Sequence, residues 1–192
     1  MKASMRGIVL AACFAAWLAP TAWAGPREDV NAAIDQFLAA RSFHADILIT
    51  GAVTQRRRLE FVAPGRYRMR GEDAAEQVVI GDVLFVAVDG KPSATAITDD
   101  TLLQWRDPVR LAQNAADMTV TALGEETLGE QPARKFRIDH PPPQAGMVTL
   151  WIGTDGYPLQ VASDGELQGQ AVTTTIRYSR YNDPAIRIDP PR

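Results

Sequence analysis

Short strands with apolar residues at every second position follow one another through most of this chain. The stretch from Met147 to Val161 is typical, because an alternating segment leads into the turn-forming pair Asp155-Gly156 and a second alternating segment begins at Pro158. A period of two places all the apolar side chains of a strand on one face of a sheet. The sequence therefore requires a fold in which many one-sided strands can cover their apolar faces.

Eleven segments carry this pattern. We predict strands at 42–50, 57–62, 66–70, 76–80, 83–88, 94–98, 118–123, 133–139, 148–152, 159–162 and 173–181. Turn-forming pairs separate many of them, namely Pro64-Gly65, Gly81-Asp82, Asp89-Gly90, Gly129-Glu130, Asp155-Gly156 and Asp164-Gly165. Strands joined by short turns indicate an antiparallel meander. Since no stretch alternates strands with long helices, a parallel nucleotide-binding sheet is not expected.

Two helices are predicted in addition to the strands. Residues 27–41 have apolar side chains at helical spacing, acidic residues in the first turn and Arg41 in the last. The apolar positions are Val30, Ile34, Phe37 and Leu38, and the acidic ones are Glu28 and Asp29. Within 99–118, the one long interruption of the meander, Asp107-Pro108 is typical of a helix start and predicts a short helix to about residue 116.

The apolar faces of the strands outnumber what two short helices can cover. Two folds satisfy this constraint. Either the sheet closes on itself and fills its interior, or it curls into a half-barrel whose apolar concave face is available to a ligand. The pattern alone leaves both alternatives open, because most apolar stripes are simply core.

Several segments, in their order and spacing, resemble the periplasmic lipoprotein-carrier superfamily, which comprises LolA-like and mycobacterial lipid-carrier-like proteins. The segments are Phe61–Met69, Gln77–Val86, Leu150–Ile152, Gly156–Leu159, Tyr178–Pro184 and Ile188–Pro191. The resemblance implies an α+β, mainly β fold: a strongly curved antiparallel half-barrel with a helical lid and a cavity for acyl chains. It implies a carrier with no cofactor, whose ligands are lipids or lipoprotein acyl chains. Membrane-bound donor and acceptor proteins are the implied partners.

We assign the inward-facing apolar residues to this implied cavity. They are Phe43, Ile47, Ile49, Leu59, Phe61, Tyr67, Met69, Ile80, Leu84, Val86, Phe136, Ile138, Leu150, Ile152 and Val161. The apolar residues of the long interruption are assigned to the lid, namely Leu102, Leu103, Trp105, Val109 and Leu111. Pro108 prevents one continuous helix across the lid residues, so we expect a jointed lid.

The first 24 residues have the features of a secretory signal peptide. Lys2 and Arg6 precede an apolar run, and Ala22-Trp23-Ala24 places small residues at the cleavage site. We expect a single mature domain at residues 25–192, monomeric and periplasmic. The alternative is that Leu10–Cys13 is a lipoprotein cleavage box that leaves Cys13 acylated. Removal of the peptide changes the net charge from −3 to −5, which argues against nucleic acid as a partner.

Residues with catalytic or metal-binding chemistry are few. His44 and His140 lie far apart in sequence and in no cluster with metal-ligand spacing, so no metal site is predicted. Asp99-Asp100 and Glu125-Glu126 are carboxylate pairs only in sequence, because neighbours on a strand point to opposite faces. No catalytic residue is predicted. A sensor of a lipid-like signal and an envelope hydrolase remain the alternatives to a carrier.

Arginines and tryptophans raise two further questions. Gln55–Arg58 is followed by Arg66, Arg68 and Arg70 at alternate positions. These arginines form either a solvated strand face that resists edge pairing or a docking patch for an acidic partner or lipid headgroup. Trp151 is out of phase with its neighbours, and we predict that Val148, Leu150 and Ile152 face inward.

Overall fold

The computed structural model describes residues 25–51, 54–72, 74–88, 91–96, 118–140, 146–167 and 169–190. This part of the chain contains one helix and eleven strands. They are α1 (Pro26–Ala39), β1 (Ser42–Thr50), β2 (Gln55–Val62), β3 (Arg66–Gly71), β4 (Gln77–Ile80), β5 (Val83–Val88), β6 (Lys91–Ala96), β7 (Thr119–Leu128), β8 (Gln131–His140), β9 (Gly146–Gly153), β10 (Pro158–Leu167) and β11 (Gln170–Ser179). The second predicted helix and the five lid residues lie outside the described residues.

All eleven strands form one antiparallel sheet in the order β6-β5-β4-β3-β2-β1-β11-β10-β9-β8-β7. Two meanders, β1 to β6 and β7 to β11, are joined where β1 pairs with β11, with His44 opposite Ser179 and Thr50 opposite Thr173. Among the described residues, β6 and β7 are the edge strands, and they lie at opposite ends of the sheet. The sheet is therefore open, which decides against the closed barrel.

Most strand boundaries differ from the prediction by one or more residues, and the larger differences have local causes. β6 begins at Lys91 and includes Pro92, because an edge strand does not need the missing N–H of proline for its ladder. The predicted turn at Asp164-Gly165 is wrong. Both residues pair with β11, and the Thr173 hydroxyl donates to Asp164 Oδ1 at 2.7 Å. The turn follows instead at Gly169, whose φ of +77° suits glycine.

β11 ends at Ser179, two residues before its predicted end. Arg180 and Asn182 have positive φ values of 57° and 56°, and this left-handed backbone cannot continue a strand. The helix also ends earlier than predicted. α1 stops at Ala39, so Arg41 lies beyond its last turn and donates its backbone N–H to Asn182 Oδ1 at 2.8 Å.

α1 packs on one face of the sheet, which we call the inner face; the opposite one is the outer face. Register defines the inner face across neighbouring strands. Ile47, Ile176, Val161, Leu150 and Phe136 lie side by side from β1 to β8. Because side chains alternate along each strand, their immediate neighbours in sequence belong to the outer face.

Two apolar clusters lie between α1 and the inner face. In the first, the Phe37 ring of α1 lies 5.2 Å from that of Phe43 and 5.3 Å from that of Tyr178. The Phe61 ring continues the cluster toward β3, at 5.1 Å from Phe43 and 5.0 Å from Tyr67. Ring centroids at these distances are within the favourable range for aromatic pairs.

The second cluster lies at the other end of α1. Its buried members are Val30, Ala33, Met118, Phe136, Ile138, Leu150 and Ile152. Polar contacts hold the helix in place above it. Arg134 Nη1 of β8 lies 2.5 Å from Asp29 Oδ2, and the Arg27 guanidinium donates to the Met118 carbonyl. The helix thus bridges the two halves of the sheet. At 14 residues, α1 is too short to cross a membrane, and it is the only helix in the described part of the chain.

Residues 180–190 form a tail that, from Asp183 onward, packs on the outer face of β1 to β3. Ser42 Oγ donates to the Asp183 carbonyl at 3.0 Å, and Arg66 Nη1 donates to the Ile188 carbonyl at 2.8 Å. Ile186 and Ile188 are buried. The tail therefore covers part of the outer face with apolar side chains, while the sheet arginines bind its backbone.

The edge strand β7 is irregular. Its register with β8 shifts between Ala122 and Gly124, and Gly124 has a φ of +98°. This is a β-bulge, which adds a residue to one strand, bends that strand and increases its local twist.

Phe43 is fully buried and contacts three other aromatic rings of the first cluster. We expect Phe43→Ala to lower the free energy of unfolding by about 3–5 kcal/mol, because a cavity is left where the ring was. Chemical denaturation measures this change. Leu123→Ala, at a side chain that is 48% exposed, is the control and should stay within about 0.5 kcal/mol of the wild type. Equal effects would contradict this assignment of the core.

Asp183 makes the stability of the tail depend on pH. The backbone N–H of Ala185 and then the Arg180 guanidinium hold the pKa of this carboxyl below its usual range. A lowered pKa in the folded state means stabilisation that is present above the unfolded pKa, about 3.9, and is lost as pH falls through the folded value. Asp183→Asn should therefore lower stability at pH 7, and the difference from wild type should vanish in acid.

Thermal unfolding followed from pH 7 down to pH 2 measures this dependence. The control is Asp189→Asn, which changes an exposed carboxylate of the same tail. A constant difference between Asp183→Asn and wild type across this pH range would show that the carboxylate charge does not hold the tail.

Candidate ligand-binding face

The polar residues singled out from the sequence do not come together as a catalytic or metal-binding cluster. Within the described ranges, no group of three or more histidine, cysteine, aspartate or glutamate side chains is close enough to hold a metal ion. His44 lies on the outer face, with its Nε2 3.5 Å from Asp46 Oδ1. His140 is half-buried at the end of β8. Asp99 and Asp100 lie outside the described residues.

Glu126 is engaged in a structural contact. Its Oε2 accepts from Lys135 Nζ at 2.9 Å and from Trp151 Nε1 at 3.1 Å, and these hydrogen bonds, Lys135 first, hold the pKa of the carboxyl below its usual range. A carboxylate that is stabilised in its charged form is poorly suited to act as a general acid.

Trp151 lies on the outer face, as its phase predicted. It is only 7% exposed, because Lys135 Nζ lies 4.9 Å from the ring centroid. The inward direction of Val148, Leu150 and Ile152 is confirmed, since all three contact the second cluster.

The residues assigned to the cavity divide into two groups by burial. Eight are buried in the two clusters, namely Phe43, Leu59, Phe61, Tyr67, Phe136, Ile138, Leu150 and Ile152. Six are half-buried on the inner face, namely Ile47, Ile49, Met69, Leu84, Val86 and Val161. The buried group fills the space between the sheet and α1, so only the half-buried group has surface available to another molecule.

Ile80 is the exception, because it lies on the outer face. Val79 pairs with Tyr67 and Leu84, joins the first cluster and takes the inner position instead. β4 has only four residues, and Val78, Val79 and Ile80 are all apolar. The sequence pattern therefore does not show which of them face inward.

A continuous line of half-buried apolar side chains runs between the two clusters. Ile47, Ile176 and Val161 are direct neighbours across β1, β11 and β10, and Ile49 and Val148 lie one step further along their strands. We call these five residues the seam. Val161 contacts both clusters, so the seam is where the two cores meet. On β2, the exposed Arg57 pairs with Ile47 and marks the polar end of this row.

Sequence reasoning missed Ile176 as a member of this line. The signal was present, because Thr174, Ile176 and Tyr178 alternate with Thr175 and Arg177. The run of threonines made the strand look polar on both sides. The seam has no group with catalytic chemistry, and its side chains offer an apolar surface that contacts other apolar groups.

No protein-family model matches the chain, and no curated protein matches it. Solved structures do. The lipoprotein LppX of Mycobacterium tuberculosis superposes with a TM-score of 0.66 at 20% identity, covering 85% of this chain and 97% of that one. LprF from Mycobacterium bovis gives a TM-score of 0.60 at 12% identity over 86% of this chain and 96% of that one.

A third structure, of MucB, gives a TM-score of 0.52 at 18% identity, covering 85% of this chain but only 60% of that chain. At such identities the likeness concerns the fold. It confirms the coarser part of the fold that the resemblance to the lipid-carrier superfamily implied, a mainly β, open antiparallel sheet with a helix. The helical lid stays a prediction.

Two positions on β9 test the distinction between filled core and half-buried seam. Leu150→Ala should lower the free energy of unfolding by about 2–5 kcal/mol because the side chain is only 5% exposed. Val148→Ala, two residues away on the same face, should lower it by only about 1 kcal/mol because the side chain is half-buried. Chemical denaturation of both variants measures the difference. A larger loss at Val148 would mean that the seam is closed core.

Proposed function

We propose that this protein is a non-catalytic carrier that binds lipid or lipoprotein acyl chains on its inner face and moves them through the cell envelope. The observation that carries the proposal is the seam. Three of its half-buried apolar side chains, Ile47, Ile176 and Val161, lie side by side on the same face as α1, between two clusters that α1 already covers. The other two, Ile49 and Val148, lie in the next row, with Thr174 and Ser163 between them.

Transfer energetics favour an acyl chain as the occupant. Each methylene removed from water contributes about 0.8 kcal/mol, so a chain of about sixteen carbons requires on the order of 12 kcal/mol of apolar burial. Only an extended apolar surface can supply this. The seam crosses neighbouring strands about 4.8 Å apart, and its four strands, β1, β11, β10 and β9, therefore span about 14 Å.

The sequence predictions complete the proposed carrier. A cleaved signal peptide at residues 1–24 would export a monomeric domain to the periplasm. The apolar residues of 99–118, namely Leu102, Leu103, Trp105, Val109 and Leu111, would cover the ligand as a lid. In sequence this segment lies between β6 and β7, which are the two edge strands among the described residues. Membrane-bound donor and acceptor proteins would load and unload the carrier.

The fold supports the proposal without deciding it, because one fold serves many functions. LppX, LprF and MucB share the arrangement of strands. The support for an apolar ligand comes from the seam residues on the inner face of this chain. A stable complex with a membrane protein and no lipid transfer would favour a sensor, and turnover of lipid esters by the purified protein would favour a hydrolase.

Ile176→Asn is the direct test of the seam. We expect it to reduce binding of a fluorescent fatty acid about tenfold or more, because an amide in the seam is desolvated without a partner when the chain binds. Fluorescence titration measures the affinity. Mass spectrometry of organic extracts from gently purified protein should show less bound lipid in this variant than in wild type.

The matched control is Thr175→Asn, at the neighbouring half-buried position that faces outward. It should bind the probe like wild type. Equal affinity of wild type and both variants, with each variant folded, would contradict ligand binding on the seam.

A further inference from the structure

A groove of about 810 Å³ lies mainly on the outer face, and its lining also includes Ile47 of the seam and Arg57, which pairs with Ile47. Four arginines of its lining, Arg56, Arg58, Arg70 and Arg177, have outer-face register, and Asp46 and Gln160 lie among them. Its volume falls within the range of small-molecule sites, about 300–1,000 Å³.

The charge of the groove is opposite to that of the protein. The four outer-face arginines and the two carboxylates of its lining give a net charge of +2, and no lysine lines it, whereas the whole chain carries −3. A cleft with one sign of charge concentrates ligands of the other sign. The groove therefore selects for anions.

Arg58 and Arg70 are held in the groove by exposed ion pairs. Arg58 and Arg70 are directly opposite each other on β2 and β3, where like charges repel. Asp46 Oδ1 lies 3.2 Å from Arg58 Nε, and Glu76 contacts Arg70. These side chains are about half exposed, so solvent weakens the repulsion and the ion pairs alike, and the carboxylates hold the arginines only weakly.

Arg177 is oriented but not neutralised. Its Nε donates to Gln160 Oε1 at 2.8 Å, and Gln160 is only 7% exposed, so a buried neutral amide fixes the guanidinium. Among the described residues, no carboxylate lies within 4 Å of the Arg177 guanidinium. Its remaining N–H donors stay available to a ligand.

Arginine is suited to phosphate in particular. The planar guanidinium donates two parallel hydrogen bonds to a phosphate, and arginine outnumbers lysine where such paired recognition matters. Arg58 and Arg177 lie on either side of Asp46, on strands about 10 Å apart, and their long side chains can converge on one group between them.

We propose that the outer groove binds a phosphate ester, held by Arg58, Arg70 and Arg177. The volume exceeds that of a phosphate group alone, so the ester carries a further polar moiety, as in a lipid headgroup or a soluble sugar or glycerol phosphate. These three arginines have outer-face register, opposite to that of the seam, so the proposal is independent of the carrier proposal.

Calorimetric titration with glycerol 1-phosphate tests the proposal, with sodium chloride at the same ionic strength as the reference. Each of Arg58→Gln and Arg177→Gln should weaken binding about tenfold, because each removes a charge-assisted contact. Arg137→Gln is the matched control. It lies on the outer face, pairs with Asp139 at 3.0 Å, and is not part of the groove lining, so binding should be unchanged.

Asp46→Asn gives a change in the opposite direction. It removes the carboxylate between the arginines and should tighten the binding of glycerol 1-phosphate. Circular dichroism and thermal unfolding without ligand establish that each variant is folded. Equal responses to glycerol 1-phosphate and chloride, or unchanged affinity in both arginine variants, would overturn the proposal.

Vesicles distinguish the source of the phosphate. If glycerol 1-phosphate binds and phosphatidylglycerol vesicles also bind through Arg58 and Arg177, while phosphatidylcholine vesicles do not, the ester is an anionic lipid headgroup. Binding of glycerol 1-phosphate without vesicle binding supports a soluble ester. In a third outcome, glycerol 1-phosphate does not bind, but vesicles or a polyglutamate peptide bind through the same arginines. This outcome would show a docking surface for a macromolecule, and the proposal would be wrong.

Discussion

The pairing of β1 with β11 holds the two halves of the sheet together. His44 and Ser179 are partners across this pair, although most of the described chain lies between them in sequence. Both clusters depend on it, because Phe43 and Tyr178 meet across the pair and Val161 is one strand away. A contact between such distant segments carries a large loop-closure entropy, so folding is expected to be slow compared with that of a helical protein of this size.

The sequence predicts the strands well because most of them keep a period of two and turn-forming pairs separate many of them. The errors fall where local chemistry is ambiguous. Asp164-Gly165 is a good turn pair, but its pairing with β11 prevails over that preference. Ile80 follows another apolar residue in a short strand, so its face could not be fixed from the pattern. The order of the strands, with β1 beside β11, has no local signal in the sequence.

For the candidate site, the sequence predicts which side chains face inward but not which are already covered. Phe61 and Ile47 both alternate correctly, yet Phe61 is filled core and Ile47 is half-buried. The difference depends on where α1 crosses the sheet. The outer groove was harder to predict, because its arginines come from β2, β3 and β11, and only the register brings Arg177 beside Asp46. Arg66 and Arg68, by contrast, bind the backbone of the tail.

The bulge in β7 has a consequence for the behaviour of the protein in concentrated solution. An edge strand with a regular ladder is a template on which the strand of another molecule can assemble. At Gly124 the ladder is interrupted and the strand bends, and the exposed Glu125 and Glu126 follow directly. An incoming strand would lose its register at the bulge and meet two negative charges beyond it. This edge therefore protects the chain against sheet-to-sheet aggregation.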